Sequence, residues 1–247
     1  MIVTMPQREM TTRQTAAAPR VSQISQILRT VAGESPIPLP AFVPVLIRPV
    51  RSSREMDAVY RLVHDTFLER GYCASQPDGR LIHYPHLDHI PETTVLAAVL
   101  KGEIVGTISY TFDGPAGLHT DKDFKAECDV IRAEGKRLGA SWRIATRNRF
   151  RYEKEVVMAL IRTTVHYILD SGVETSVFTF NPRHERVYQR MLNMTTVTRS
   201  AGTDGLSNAP AVLMRMETEN IPAKWREGYR AGSILPKTYL DDVRVAV

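Results

Sequence analysis

Arg147, Arg149 and Arg151 stand at alternate positions in "RNRFRYEKE", with Lys154 close behind and Arg143 a few residues before them. A run of guanidinium groups this dense suits the holding of oxyanions, or of an acidic protein surface, through charge-assisted and often bidentate hydrogen bonds. The run also sits at a telling place. "LGASWRIAT" before it reads as a strand and "EVVMALIRTTVHYILDS" after it as a helix. In many folds a strand feeding a helix N-terminus is an anion site, because the first turn leaves backbone N–H groups unpaired and the helix dipole adds partial positive charge. Phosphate-cradling hinges usually carry glycines, yet none lies between Gly139 and Gly172, and bulky Phe150 and Tyr152 stand in the hinge itself. Arg143 falls inside the strand, where a charge is expensive to bury and needs a partner or a task.

Three other groups of residues could do chemistry. Arg61, Asp65 and Glu69 recur every four positions and so share one face of a helix, opposite an apolar stripe of Met56, Val59, Tyr60, Val63 and Phe67. Read alone, that face is a solvated set of ion pairs, although Leu62 and Leu68 border it. "HYPHLDHIPE" offers His83, His86, Asp88 and His89, but Pro85 and Pro91 spoil regular ligand spacing and no Cys or H-E-x-x-H accompanies them, so no metal is expected. Cys73 has no evident activating partner for acyl transfer through a thioester, and with only Cys128 besides it the chain carries no disulfide framework.

The elements that must position these residues follow from pattern. A chain of 247 residues, 43% hydrophobic and 24% charged, can bury one substantial core. Its formal charge of +5 permits an acidic partner without choosing one. The N-terminal "MIVTMPQREMTTRQTAAAPR" lacks the apolar run of a signal peptide, and no stretch approaches membrane-spanning length, so a soluble, cytoplasmic protein is expected. Residues 1–40, ending in "ESPIPLPAFVP", read as a flexible leader with a Pro-rich linker, 41–220 as one domain, and 221–247 as a C-terminal extension.

Within the domain, "VLIRPV" reads as a strand. Ser52 and Glu55 form a capping box for the helix that Gly71 stops. Two β-rich runs around Lys101-Gly102-Glu103 predict a hairpin pairing Val95–Leu100 with Ile104–Phe112. "DKDFKAECDVIRAEGK" predicts an amphipathic helix, Leu138–Thr146 a strand, and Glu155–Ser171 a helix closed by Gly172. "ETSVFTF" predicts a strand, "RHERVYQRML" a helix, and "TTVTRS" and "APAVLMRME" two last strands. This order predicts an α+β domain with a mixed central sheet flanked by helices, since the hairpin is antiparallel and the strand–helix–strand unit parallel. Parallel strands flanking the basic hinge would open a crevice at their C-terminal ends, where ligands bind.

The order of elements resembles the GCN5-related N-acyltransferase (GNAT) fold. More closely, "VYRLVHDTFLERGY", "HYPHLDHIPETTVLAAVLKGEIVGTISYTFDGPAG", "DFKAECDVIRAEGKRL" and "SWRIA" resemble the FeeM-type N-acyl amino acid synthases, which are similar in architecture to LuxI-type acyl-homoserine lactone synthases. The resemblance spans roughly residues 45 to 200. It implies transfer of a long-chain fatty acyl group from acyl carrier protein to the α-amine of an amino acid, commonly tyrosine, with no bound cofactor beyond the donor's phosphopantetheine.

Residue roles follow from that implication. The acceptor's ammonium must lose a proton before it attacks, and the match at "FLERGY" makes Glu69 the candidate base. Arg143 matches the arginine of a Glu-x-Ser-Arg-like motif of the autoinducer synthases, here Ala140-Ser141-Trp142-Arg143 without its Glu, and would hold the donor, the acceptor carboxylate or a structural partner. Arg61, Asp88, His89, Ser141 and Trp142 are the expected substrate-binding residues. A backbone N–H near Ile144 or Ala145 is the expected oxyanion donor. GNAT enzymes that use coenzyme A carry an Arg/Gln-x-x-Gly-x-Gly/Ala loop, from which this hinge departs. Arg147, Arg149, Arg151 and Lys154 therefore fit docking of the acidic acyl carrier protein, whose arm has no ADP. The alternatives are an acyl-coenzyme A N-acyltransferase, an acyl-homoserine lactone synthase-like enzyme, and a basic nucleic-acid-binding module. The last lacks any recognisable helix-turn-helix, zinc finger or stacking array, so no nucleic acid is expected. A lipid product also allows peripheral contact with a membrane.

Overall fold

The computed structural model describes residues 45–147, 153–202 and 209–229. Its elements run β1 (Val45–Pro49), α1 (Ser53–Glu69), β2 (Thr93–Leu100), β3 (Glu103–Phe112), α2 (Asp121–Arg132), β4 (Leu138–Thr146), α3 (Glu153–Ser171), β5 (Thr175–Phe180), α4 (Glu185–Leu192), β6 (Thr195–Ser200), β7 (Ala211–Glu217) and the single turn α5 (Ala223–Arg226). The local signals act as expected. Ser52 accepts from the Glu55 N–H at 3.2 Å while Glu55 reaches back to the Arg51 N–H at 2.8 Å. Lys101 and Gly102, both at positive φ, turn the β2–β3 hairpin.

The strands form one seven-stranded mixed sheet in the order β1-β2-β3-β4-β5-β7-β6, and only β4 and β5 pair in parallel. β7 lies inside β6 although it follows it in sequence. Burial explains the exchange: Ala211–Met214 are all buried, whereas β6 alternates exposed and half-buried residues, as suits an edge. The helices cover both faces, as the α+β, GNAT-like plan requires. α1 packs Met56, Val59, Tyr60 and Val63 against Val95 and Ala145, and α2 packs Phe124, Cys128 and Ile131 against Leu138, Ala140 and Val177 on the same face. α3 and α4 build the larger core on the other. α3 approaches β3 so closely that a Cβ on Gly106 would lie 2.8 Å from Val156 Cγ1. Residues 221–229, assigned by pattern to the extension, pack on this core, with Trp225 donating its Nε1–H to the Met191 carbonyl at 2.7 Å.

Two departures from regular sheet geometry open the middle of the domain. Parallel pairing of β4 with β5 stops at Ala140↔Val177, so the two strands splay beyond it. On its other edge β4 carries a bulge, because Ser109 pairs with Trp142 and Thr107 with Ala145, leaving Arg143 and Ile144 opposite Ile108 alone. Arg143 sits there at φ 57°.

Candidate active site

The bulge inverts the alternation of β4. Leu138 and Ala140 face α2, and regular pleating would send Trp142 with them and Arg143 to the opposite side. With the extra residue, Arg143 stays beside Trp142, its Cζ 4.1 Å from the ring centroid. Ala145 then faces α1, while Ile144 joins the α3 core.

Around this point lies a cavity of about 160 Å³ that passes through the wedge between β4 and β5. Phe67, His83, Tyr84, His119, Trp142 and Arg143 line it on the side of α1 and the loop after it. On the α3 side Ile161, Val165, Ile168, Leu192, Met194 and Met216 make a wall of aliphatic and thioether groups, and Phe178 and Phe180 line the β5 edge. One end therefore offers rings and polar atoms, the other mainly hydrocarbon and sulfur, with the Thr164 hydroxyl turned to the Leu160 carbonyl at 2.9 Å and the Tyr188 ring completing its wall.

The polar end is held by a buried network. The Arg143 and Asp88 side chains are both fully buried and ion-paired through Arg143 Nη2 and Asp88 Oδ1. Tyr60 donates to the other carboxylate oxygen at 2.8 Å. Burial pulls the Arg143 guanidinium below its ordinary value, and the Asp88 carboxylate opposes that pull. Its Nε and Nη1 are buried without a partner among the described residues. Buried donors in native proteins are nearly always satisfied, and these two are idle on a side chain that lies beside the cavity with no exposed surface of its own. Trp142 is fixed by its Nε1–H donating to Thr111 Oγ1 at 2.9 Å and by Tyr84 meeting its ring edge-on at 5.2 Å. Burial drives His83 down to about 4, with Arg143 adding to the effect, and His119 down to about 3. Both imidazoles are neutral at pH 7, and burial pushes the Tyr84 phenol up to about 12.

A second network ties the ends of the basic hinge. Arg70, at the end of α1, donates to Glu153 Oε1 at 3.1 Å, and Thr146 Oγ1 approaches the same oxygen at 3.4 Å. Thr66 Oγ1 donates to the Thr146 carbonyl at 3.0 Å. The end of β4 and the first residue of α3 are thereby clamped to α1, and burial raises the Glu153 carboxyl above its ordinary value.

Of the residues expected to form the site, the structure gathers Asp88, Ser141, Trp142 and Arg143 at the cavity or its supporting pair. It does not bring Arg61 or His89 there. Arg61 is exposed, bonded to Asp57 at 2.9 Å and to the Asp78 carbonyl at 3.0 Å, so it anchors the loop after α1. His89 and His86 are exposed while His83 turns inward, which separates the histidines of that segment. Glu69 is exposed at the last position of α1, outside the cavity wall and near the Arg70–Glu153 pair. Arg147 is exposed and paired with Glu103 at 2.8 Å, and Lys154 is exposed in the first turn of α3. Arg149 and Arg151 lie outside the described residues.

The model of the family described as N-acyl amino acid synthase FeeM matches residues 58–217. The chain belongs to the FeeM N-acyl amino acid synthase family. It is an acyltransferase. Among curated proteins no match was found. Solved structures agree on the fold of this synthase. FeeM, an N-acyl amino acid synthase from uncultured soil microbes, superposes with a TM-score of 0.61 at 23% identity, over 74% of this chain and 93% of that one. The acyl-homoserine lactone synthase LasI gives 0.54 at 16%, over 78% and 98%. The coenzyme A-dependent acyl-homoserine lactone synthase BjaI, with SAM and isopentyl-CoA, gives 0.53 at 17%, over 82% and 98%.

Sequence reasoning missed several residues of the synthase's site. Tyr60 read as one more member of the apolar stripe, and nothing in its spacing announced a hydroxyl on Asp88. Tyr84 and His119 lie in loops, where no periodicity tells an inward side chain from an outward one. The pairing of Arg70 with Glu153 joins residues far apart in the chain, and only the folded contact reveals it.

Proposed function

We propose that this synthase moves a long-chain acyl group from acyl carrier protein to the α-amine of an amino acid, tyrosine favoured. The observation that carries the reading is the two-ended cavity through the β4–β5 wedge, whose hydrocarbon end suits an acyl tail and whose ring-lined, polar end suits an amino acid. The reacting atoms would meet at the bulge between the two. Arg143, through the guanidinium nitrogens that Asp88 leaves unpaired, would hold the acceptor carboxylate in a charge-assisted pair once the acceptor displaces the side chains that cover them. The neutral amine attacks the thioester carbonyl carbon, forming the C–N bond. Backbone N–H groups of the splayed β4 edge near Ile144 stabilise the oxyanion. The C–S bond then breaks, and the pantetheine sulfur leaves with a proton. The proton lost by the ammonium passes to Glu69, which its exposed position requires to act through water.

The carrier would dock on Arg147, Arg149, Arg151 and Lys154. A glycine-free, basic hinge supports that choice of donor, since coenzyme A would need a close backbone wrap around its pyrophosphate. No cofactor beyond the donor's phosphopantetheine is needed, and the reaction belongs in the cytoplasm where the carrier is charged. The amphiphilic product would leave to a membrane surface. Among the described residues no helix is long and apolar enough to cross one. The test offers acyl carrier protein and coenzyme A thioesters of matched chain length with a mixture of free amino acids, and identifies products by mass spectrometry. N-acyl amino acid from the carrier donor is expected; preferential use of the coenzyme A thioester would overturn the donor, and no product from either the whole reading.

A further inference from the structure

His83 is a titratable side chain of the cavity to which the proposed transfer gives no part, whereas Glu69, the proton acceptor, lies outside the cavity wall. The half-buried His83 ring lines the polar end of the cavity together with Arg143. Other rings hold it in place. Phe67 of α1 packs against it with centroids 5.3 Å apart, and Tyr84 with centroids 6.0 Å apart. No hydrogen bond among the described residues occupies its nitrogens, and neither is closed off as His119 Nδ1 is. The titratable and charged groups that face the ring are Arg143 from β4, Asp88 and Tyr84 from its own loop, Lys122 from α2 and His119 just ahead of α2. Burial, and after it the Arg143 guanidinium, keeps the His83 imidazole neutral at pH 7, so one ring nitrogen offers a lone pair to a proton.

We infer that His83 is a catalytic residue, whose imidazole takes a proton from the acceptor's ammonium inside the cavity and passes it through water to Glu69. The inference rests on the proposed function and on its placement of the acceptor carboxylate at Arg143. An α-amino acid carries its amine and carboxylate on one carbon, so a carboxylate held by Arg143 brings the ammonium to the wall that His83 shares. The same carboxylate offsets the positive charge that opposes protonation of the ring. The base therefore strengthens as the acceptor arrives and is weak in the empty cavity. Two protons leave the acceptor nitrogen in turn. The first goes to the imidazole and frees the lone pair that attacks the thioester carbon. The second leaves after the C–N bond has formed and departs with the sulfur as the C–S bond breaks. The imidazolium returns to neutral by releasing the first proton through water to Glu69, at the solvent-exposed end of α1.

The test measures kcat and KM of the full chain for tyrosine from about pH 6.5 to about pH 8.5, with whichever dodecanoyl thioester, of acyl carrier protein or of coenzyme A, the parent uses. His83→Gln should lower kcat by roughly 100-fold or more at pH 7 while the KM for tyrosine stays within about threefold. Without a base the enzyme depends on acceptor that has already lost its proton, so the deficit should shrink by about tenfold for each pH unit gained below the amine's own pKa. The parent kcat should be flat over the same range. His83→Phe keeps a ring against Phe67 and removes both nitrogens, and should lose as much as His83→Gln, which separates the base from the packing. A histidine that only supports the wall would give a loss of equal size at every pH or a rise in KM, and either result overturns the assignment. So does a parent kcat that itself climbs about tenfold per pH unit, an outcome that needs no variant to fold. If the parent makes no N-acyl-tyrosine from either donor, the proposed function fails and the assignment with it; transfer by the parent with a variant that keeps pace at pH 7 sinks the assignment alone.

Discussion

Replacing Asp88 with Asn removes one charge from a pair that solvent does not reach. Both side chains are fully buried, so no water screens the charge left on Arg143. The shape is nearly conserved, and Tyr60 can still donate to the amide oxygen. What is lost is the counter-charge to a guanidinium that already has two unpaired nitrogens. Breaking a buried pair from one side costs about 3–5 kcal/mol, against at most about 1 kcal/mol for an exposed pair. For a domain of this size that corresponds to a fall in melting temperature of about 6–20 °C. Chemical denaturation at pH 7 with parallel thermal scans measures it. The double replacement Asp88→Leu with Arg143→Met separates stability from function. Exchanging a buried pair for apolar groups of similar volume is often neutral or stabilising, so the melting temperature should return to near the parent value while acyl transfer stays lost. A destabilisation below about 1 kcal/mol for Asp88→Asn would refute the reasoning, because Arg143 would then be satisfied by something other than Asp88.

Acid should destabilise the fold through the two cavity histidines. His83 and His119 fall from an ordinary 6.5 to about 4 and about 3, so below pH 6.5 the unfolded chain takes protons that the native state refuses. Stability then declines as pH falls from 6.5 toward 5, by about 1.4 kcal/mol per pH unit for each histidine; denaturant midpoints across that range measure the slope, and His119→Phe should remove about half of it. Glu69→Gln should keep fold and carrier binding yet lose rate by roughly a hundredfold or more, the usual scale for a general base, and near-parental turnover at neutral pH would assign the proton elsewhere. Changing Arg149 and Arg151 to Glu should raise the apparent KM for acyl carrier protein by roughly tenfold or more and abolish its salt dependence. The KM for the amino acid should barely move; the opposite pattern would turn the hinge toward the acceptor.

Local chemistry made most of the fold legible. The Ser52–Glu55 cap, the Lys101-Gly102 turn and the closing Gly172 are signals whose physics acts within a few residues, and the elements they bound lie where pattern puts them. The helix from "RHERVYQRML" starts later, at Glu185, because Pro182 and the Asn181 cap first make a 3-10 turn. The place of β7 inside β6 depends on which strand has the more continuous apolar run, a comparison made only when both compete for β5. The site was legible where a cost was visible. A charge within a central strand demanded a partner, and Arg143 has one. That the partner is Asp88, within a segment that also suggested metal ligands, could not be read from residues 55 positions apart. Arg61 and Glu69 show the converse limit. Shared helical spacing places them on one face, but that face anchors a loop through Arg61 and carries Glu69 at its solvent-exposed end.

The bulge at Arg143 joins these threads, and no residue type announces it. A non-glycine residue in the left-handed region costs roughly 1–2 kcal/mol, and nothing in "ASWRIAT" suggests that the chain accepts that cost. Yet the extra residue accounts for three features at once. It keeps Arg143 on the same face as Trp142, where Asp88 and Tyr60 can reach it. It turns Ile144 toward α3 and the hydrocarbon end of the cavity. It also bends β4 beyond the point where pairing with β5 has stopped, which opens the wedge through which the cavity runs. Restoring regular pleating would have to sacrifice either the polar end or the apolar wall, because one strand could no longer show Trp142 and Arg143 to one side and Ile144 to the other. The break in local geometry is therefore what gives the cavity its two unlike ends, and in the function proposed above the acyl donor and the amino acid would meet between them on β4.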